Sequence, residues 1–558
     1  MRMWPTTGLI MAALLAGVGC RPPQPLDQLE AAYQEAWFFA DQLDVTHATG
    51  ADTSRRGVSV AELTEQYRVA RSRIGELLLT IDTTRLGDQD LRAFRAMALG
   101  METNLTATPA PAIGSASDGS GSCQYRPGDL LGGPDGESAL VARMIRCYGL
   151  QTSDVRLGEE HLDRLTVFGL LGDTDDPARR RRLFLALDPV WRSVNADDGG
   201  STSPWRRVLQ VRADQWGATG YPHESRAAAL GISADSVEVW LERILAAWRS
   251  SQPEELVEPW DWYHLNGEAA RRLSPLVPLD SLLAINRAVF ASLGADPDPI
   301  GVEYDIEPRA GKYPVAYSTF GARTRMTGGQ WVPGEPWVFA SYRVGGIGSL
   351  GELLHETGHA IHIGAIRTRP AFNTWPDSDT FTEAVADLVS QDLYQPAWQQ
   401  RWLGDSVSRA VALRDQYGSV MLDVAWALFE IRMFRAPEQS PNEVWAEITA
   451  RYLGIQPHPE WSWWAQRGQL VESPGYMLNY ALGAILVAQL RDQLRAARPV
   501  GPGVDDPGWY AWVSDRLYRF GLERPTAEVV AEFLDGPVSP NAILADLKSG
   551  SPGPARAR

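Results

Sequence analysis

Ser349-Leu-Gly-Glu-Leu-Leu-His355-Glu356-Thr-Gly-His359-Ala-Ile-His362 is the stretch that decides how the rest of the chain is read. The chain has only eight His, and three of them lie between positions 355 and 362. Ser349 and Glu352 have capping-box spacing, so a helix is predicted to start there. Helix residues four apart share a face, which lets His355 and His359 grip one metal ion. Glu356 lies beside them, where a carboxylate can take a proton from water on that metal. His362 is turned partly away and reads as a structural histidine.

Working outward, such a metal needs a third protein ligand and an open position. Ala365 stands six residues beyond His359, so a third His at that spacing is excluded. Thr380-Phe-Thr-Glu383-Ala-Val-Ala-Asp387 supplies a carboxylate on a following helix, with Glu383 as the candidate ligand. Asp387 lies one turn further on the same face and can orient His355 by accepting the proton of its other ring nitrogen. Thr380 and Glu383 also have capping-box spacing, a structural alternative for Glu383.

The whole chain has 558 residues, enough for up to roughly four domains or for one large helical body. With 44% hydrophobic and 22% charged residues it is no disordered chain. A net charge of −17 argues against a nucleic-acid partner, since phosphate binding needs concentrated positive charge. Lys312 and Lys548 are the only lysines among 52 basic residues, which draws attention to the segment around Lys312.

Residues 1–20 read as an export signal, with Arg2 ahead of an apolar stretch from Gly8 to Gly19 that is too short to span a bilayer. The run Leu15-Ala-Gly-Val-Gly-Cys20 resembles a bacterial lipoprotein signal, although Gly17 stands where that motif usually has Leu. The resemblance implies lipidation of Cys20 and export to the bacterial cell envelope, periplasm or cell surface, with membrane contact through the lipid alone. Cys123 and Cys147 remain, a pair suited to a disulfide in an oxidising compartment or to two buried thiols.

Residues 21–300 are predicted to be mostly helical, interrupted by a loop over 101–135 and a turn at Asp197-Asp198-Gly199-Gly200. Residues 301–548 form the region that carries the metal motif, and 549–558 read as a flexible tail. Within it, β-formers around Val302–Tyr304, Tyr313–Phe320 and Trp337–Tyr342 predict a small sheet just before the metal helix. The 21 Trp are expected mainly in the core.

Over about 230 residues the sequence resembles the gluzincin peptidases, within them the thimet oligopeptidase and oligopeptidase F group and angiotensin-converting enzyme, a peptidyl-dipeptidase. Pro259-Trp260-Asp261-Trp262-Tyr263 and Tyr304-Asp-Ile-Glu-Pro-Arg309-Ala-Gly311-Lys312-Tyr313 are similar to oligopeptidase segments, and Phe381-x-Glu383-Ala-x-x-Asp387 is closer to angiotensin-converting enzyme. The resemblance implies a mainly α fold: a large helical body with a deep substrate channel and a small β-sheet next to the metal helix. It implies one Zn²⁺ held by His355, His359 and Glu383, with Glu356 as general base.

Ser473-Pro474-Gly475-Tyr476-Met-Leu-Asn-Tyr480 reads as a helix start with Ser473 at the N-cap. By the resemblance, Tyr476 and Tyr480 donate to the developing oxyanion. The oligopeptidases carry a His where this chain has Val471, and angiotensin-converting enzyme carries one at the place of Leu470; His458 is a candidate replacement. The strand around Trp337–Tyr342 is expected to align an extended substrate. The function implied is hydrolysis of short peptides, as oligopeptidase or peptidyl-dipeptidase, by a monomer. The alternative is a catalytically weak or inactive peptide-binding lipoprotein of the same fold.

Overall fold

Side-chain caps open many of the helices: Ser59, Asp163, Ser203, Ser408 and Ser440 each accept a backbone N–H from the first turn. They satisfy donors that a helix start leaves without partners. The structure, a computed structural model, describes residues 24–103, 123, 125, 134–196, 203–309, 312, 315–501 and 503–549. The signal with Cys20, most of the 101–135 loop, the turn at 197–200, Ala310, Gly311, Tyr313 and the tail beyond Ser549 lie outside the described residues.

The chain divides into two units. One comprises Met1–His47, Ala51–Thr108 and Arg369–Phe372. Its described part is helical, and in it Arg369 pairs with Glu30 at 2.7 Å and with Asp90 at 2.9 Å. The other comprises Ala48–Gly50, Pro109–Thr368 and Asn373–Arg558, and it holds the metal motif.

Four helices of the second unit frame that motif: α1 (Ile347–Ala365), α2 (Asp379–Ser390), α3 (Arg409–Arg435) and α4 (Met477–Ala497). α1 packs on α2, α2 on α4, and α4 on α3. Leu350, Leu353, Leu354, Ala360 and Ile361 of α1 are fully buried in the main core, the apolar burial that holds the metal helix in place. The sheet has three strands, β1 (Glu303–Asp305), β2 (Tyr317–Ala322) and β3 (Glu335–Phe339), in the order β1-β3-β2. β3 pairs parallel to β1 and antiparallel to β2, with Ser318 opposite Val338. The mainly helical architecture and the small sheet beside the metal helix agree with the sequence. No single helix among the described residues is long and apolar enough to cross a membrane.

Three local expectations are corrected. α1 starts at Ile347, two residues before Ser349. The Ile347 N–H goes to Ser274 Oγ at 3.3 Å, a donor satisfied from outside the helix, and Ser349 Oγ donates to the Val344 carbonyl instead of capping. α4 starts at Met477, because Gly475 has φ +81° and breaks the turn begun at Ser473. The central strand is β3, paired on both sides, so Trp337–Phe339 cannot take an added peptide strand; β1 and β2 are the strands at the edges.

Candidate metal centre

Sequence spacing and packing together bring His355, His359 and Glu383 into one group. Their donor atoms all lie within 4.8 Å of one another, the single cluster of this kind among the described residues. His355 Nε2 is 3.1 Å from His359 Nε2 and 3.4 Å from Glu383 Oε2, and His359 Nε2 is 4.0 Å from the same oxygen. α2 comes this close because position 358 is glycine: a methyl group there would run into the backbone carbonyl of Ala386. Glu383 is not a helix cap. Ser378 caps α2, and Thr380 Oγ1 donates to Asn479 Oδ1 of α4 at 2.8 Å, tying the Glu383 helix to the residue before Tyr480.

The donors fit a divalent cation. Asp387 Oδ1 lies 2.8 Å from His355 Nδ1. A carboxylate can only accept, so Nδ1 carries a proton, and Nε2 is the nitrogen that faces His359 and Glu383, where a metal would take the place of its proton. Although burial works against it, the Asp387 and Glu383 carboxylates raise the His355 imidazole well above its ordinary value. Burial and then the charge of His355 drive His359 down to about 4. One proton satisfies a single member of this group, whereas a cation at their meeting point satisfies all three. Two imidazoles and a carboxylate suit zinc.

Glu356, the next residue along α1, is 6% exposed. Burial pushes its carboxyl up to about 7, while His355 and the Ser318 hydroxyl pull the other way. Ser318 Oγ on β2 is 2.8 Å from Glu356 Oε2. Behind the helix, Asn286 donates to Thr357 Oγ1 at 3.0 Å and to the Tyr304 hydroxyl at 3.2 Å, a buried network that fixes the register of α1. The segment around Lys312 is structural: Lys312 Nζ and both terminal nitrogens of Arg309 bind the Asp305 carboxylate, at 2.9, 2.7 and 2.7 Å. Asp261 of the Pro-Trp-Asp segment receives Arg180 at 2.6 Å.

His355, Glu356, His359, Glu383 and Ser318 line a cavity of about 770 Å³, which also takes in Glu352, Trp375, Asp387, Tyr476 and Tyr480. The Tyr476 hydroxyl donates to Glu383 Oε1 at 3.3 Å, so it braces the candidate ligand. Glu430 of α3 holds this tyrosine's backbone, accepting N–H bonds from Gly475 at 2.7 Å and from Met477 at 3.1 Å. The Tyr480 hydroxyl accepts from Gln469 Nε2 at 3.4 Å, which leaves its own proton to donate into the cavity. Val471 is buried in the core, and His458 is held by Glu258 and Glu460 at 2.9 and 2.7 Å, away from the cavity lining. Gln469 is the side chain that reaches Tyr480 instead. His362 is buried against Trp375, Phe381 and Tyr518, as a structural histidine would be.

Sequence reasoning missed Ser318, Gln469, Glu430 and the four cavity arginines, Arg164, Arg467, Arg491 and Arg495. Arg467 pairs with Asp423, Arg491 with Asp392 and Arg495 with Asp492; Arg164 bonds the Gln466 carbonyl at 3.3 Å and lies over Phe168. None had a motif to mark it. Elsewhere in the unit, the structure sets Cys123 beside Cys147 with Cα atoms 5.7 Å apart, a disulfide separation.

No family model matches the sequence, and no curated protein matches it. Solved structures do. The M32 carboxypeptidase of Deinococcus radiodurans R1 is similar with TM-score 0.57 and 14% identity, over 94% of this chain and 98% of that one. An oligoendopeptidase F is similar with TM-score 0.54 and 17% identity, over 95% and 96%. Metallocarboxypeptidase 1 of Trypanosoma cruzi is similar with TM-score 0.53 and 13% identity, over 95% and 100%. At these identities the likeness is one of fold, and it spans nearly the whole chain: this protein has the helical-body fold of those peptidases.

Proposed function

We propose that the protein is a zinc metallopeptidase that hydrolyses short peptides, as an oligopeptidase or peptidyl-dipeptidase. The observation that carries this reading is the convergence of His355, His359 and Glu383 beside Glu356 in one large cavity. One bound Zn²⁺, held by those three side chains, would supply Lewis-acid polarisation of water and of the scissile carbonyl. Asp387 orients His355. Glu356 takes the proton of the attacking water and hands it to the leaving amine. Tyr480, with its hydroxyl already receiving Gln469, donates to the oxygen on which charge develops; Tyr476 reaches the same region from Glu383. An extended substrate lies along β2, whose residues Tyr317 and Ser318 line the cavity.

Arg164 places positive charge in that cavity, whereas Arg467 there is already paired with Asp423. A free C-terminal carboxylate finds its counter-charge there, which favours release of small pieces from the C-terminus over internal cutting. The likeness in fold to two carboxypeptidases supports the same direction. We further infer an exported monomer, anchored in the bacterial cell envelope by a lipid on Cys20 and braced by a Cys123–Cys147 disulfide.

The test is mass spectrometry of a pool of short peptides incubated with the zinc-loaded protein, beside Glu356→Gln. Cleavage by the parent alone supports the reading, and the product ladder separates terminal release from internal cutting. Zinc bound with no cleavage by either protein would overturn it in favour of a peptide-binding lipoprotein of the same fold.

A further inference from the structure

The Ser318 hydroxyl stands 2.8 Å from Oε2 of Glu356 and 2.8 Å from the backbone carbonyl oxygen of the same residue. We propose that Ser318 is the positioning residue for Glu356, fixing one carboxylate oxygen so that the other faces the attacking water. The proposal rests on the reading of Glu356 as general base.

Three observations support it. A glutamate has three rotatable bonds, and a buried carboxylate without a hydrogen-bond partner is costly, so the side chain settles where a donor meets it. Ser318 is the donor that meets it. The serine is itself held by the sheet: it sits opposite Val338 of β3, a strand paired on both sides. Its hydroxyl therefore reports the position of β2 to the base on α1. β2 is also an edge strand, and Val315 to Ser318 line the cavity. The strand that sets the depth of an extended peptide thus also sets the direction of the base, linking the two halves of a near-attack geometry.

The test uses the full chain with Ser318→Ala and Ser318→Thr; threonine keeps the hydroxyl and suits a strand. On a peptide the parent cleaves, Ser318→Ala should lower kcat by about 10- to 100-fold with little change in KM, and Ser318→Thr should restore most of it. An unchanged kcat in Ser318→Ala, or an equal loss in Ser318→Thr, would overturn the proposal.

A second readout needs no activity. Thermal unfolding of the chelator-treated parent, Ser318→Ala, Glu356→Ala and the double variant forms a cycle. The Tm loss from Ser318→Ala should shrink by at least half in the Glu356→Ala background, because the side-chain bond is already gone there. Additive losses would sink the proposal whatever the activity. Non-additive losses in a parent that cleaves nothing would leave the Ser318–Glu356 coupling standing and defeat the peptidase reading alone.

Discussion

Asp387 Oδ1 lies 2.8 Å from the Nδ1 of His355, and Ser390 Oγ donates to that same oxygen at 2.6 Å. The bond fixes both the ring orientation of His355 and the nitrogen left for a metal. Partners of this kind typically contribute 10- to 100-fold, roughly, to metal affinity. Asp387→Ala should therefore weaken zinc binding by about that factor while the fold persists, measured by competition with a chromophoric chelator. Unchanged affinity would mean that packing alone orients the ring.

Gly358 is where α1 and α2 come closest, against the Ala386 carbonyl. Gly358→Ala forces the helices apart, and overpacking of this kind costs about 1–3 kcal/mol. Urea unfolding should show that loss, together with weaker zinc binding, because Glu383 rides on α2. A variant as stable as the parent would show that the backbone relaxes freely there.

Much of this was legible in the sequence. The pair His355 and His359 needed only helical periodicity, and Glu383 needed only the demand for a third ligand. The helix starts were less legible. Ser349 carried the right cap spacing, but Ser274, far away in sequence, meets the Ile347 N–H. Gly475 adopts φ +81°, where a side chain would also meet Pro222, and this turn delays α4 to Met477. Ser318 and Gln469 were invisible for a different reason: each acts through one tertiary contact, and no spacing rule encodes a serine on a strand facing a helix. The strand order β1-β3-β2 likewise depends on pairing, which local β-propensity does not set.

Glu430 gives the fold a pH dependence. Burial, the largest influence, pushes its carboxyl up to about 8, against the two backbone N–H bonds it receives. A folded-state value above the ordinary 4.5 means that the protonated group's stabilisation is full below about pH 4.5 and is lost as pH rises through about 8. Glu430→Gln removes that titration. The Tm gap between parent and variant should narrow or reverse from pH 5 to pH 9, read by scanning calorimetry. A constant gap would show that the carboxylate is ionised throughout.

Arg164 tests the direction of cleavage. If it receives a C-terminal carboxylate, Arg164→Ala should raise KM for a free-acid peptide by about 10-fold, the worth of roughly 1.4 kcal/mol. The C-terminally amidated peptide should be a poor substrate for the parent and nearly indifferent to the variant. Equal effects on both peptides would place the carboxylate elsewhere.

The central claim is that His355, His359 and Glu383 hold the metal on which Glu356 acts. Calorimetric zinc titration of the parent, Glu383→Ala and Glu356→Gln, with peptide cleavage measured on the same samples, addresses it most directly. The parent should bind one zinc per chain and cleave. Glu383→Ala should bind at least about 100-fold more weakly, having lost one of three protein ligands. Glu356→Gln should bind as the parent does and cleave nothing. Zinc binding indifferent to Glu383, or cleavage that survives Glu356→Gln, would contradict the account.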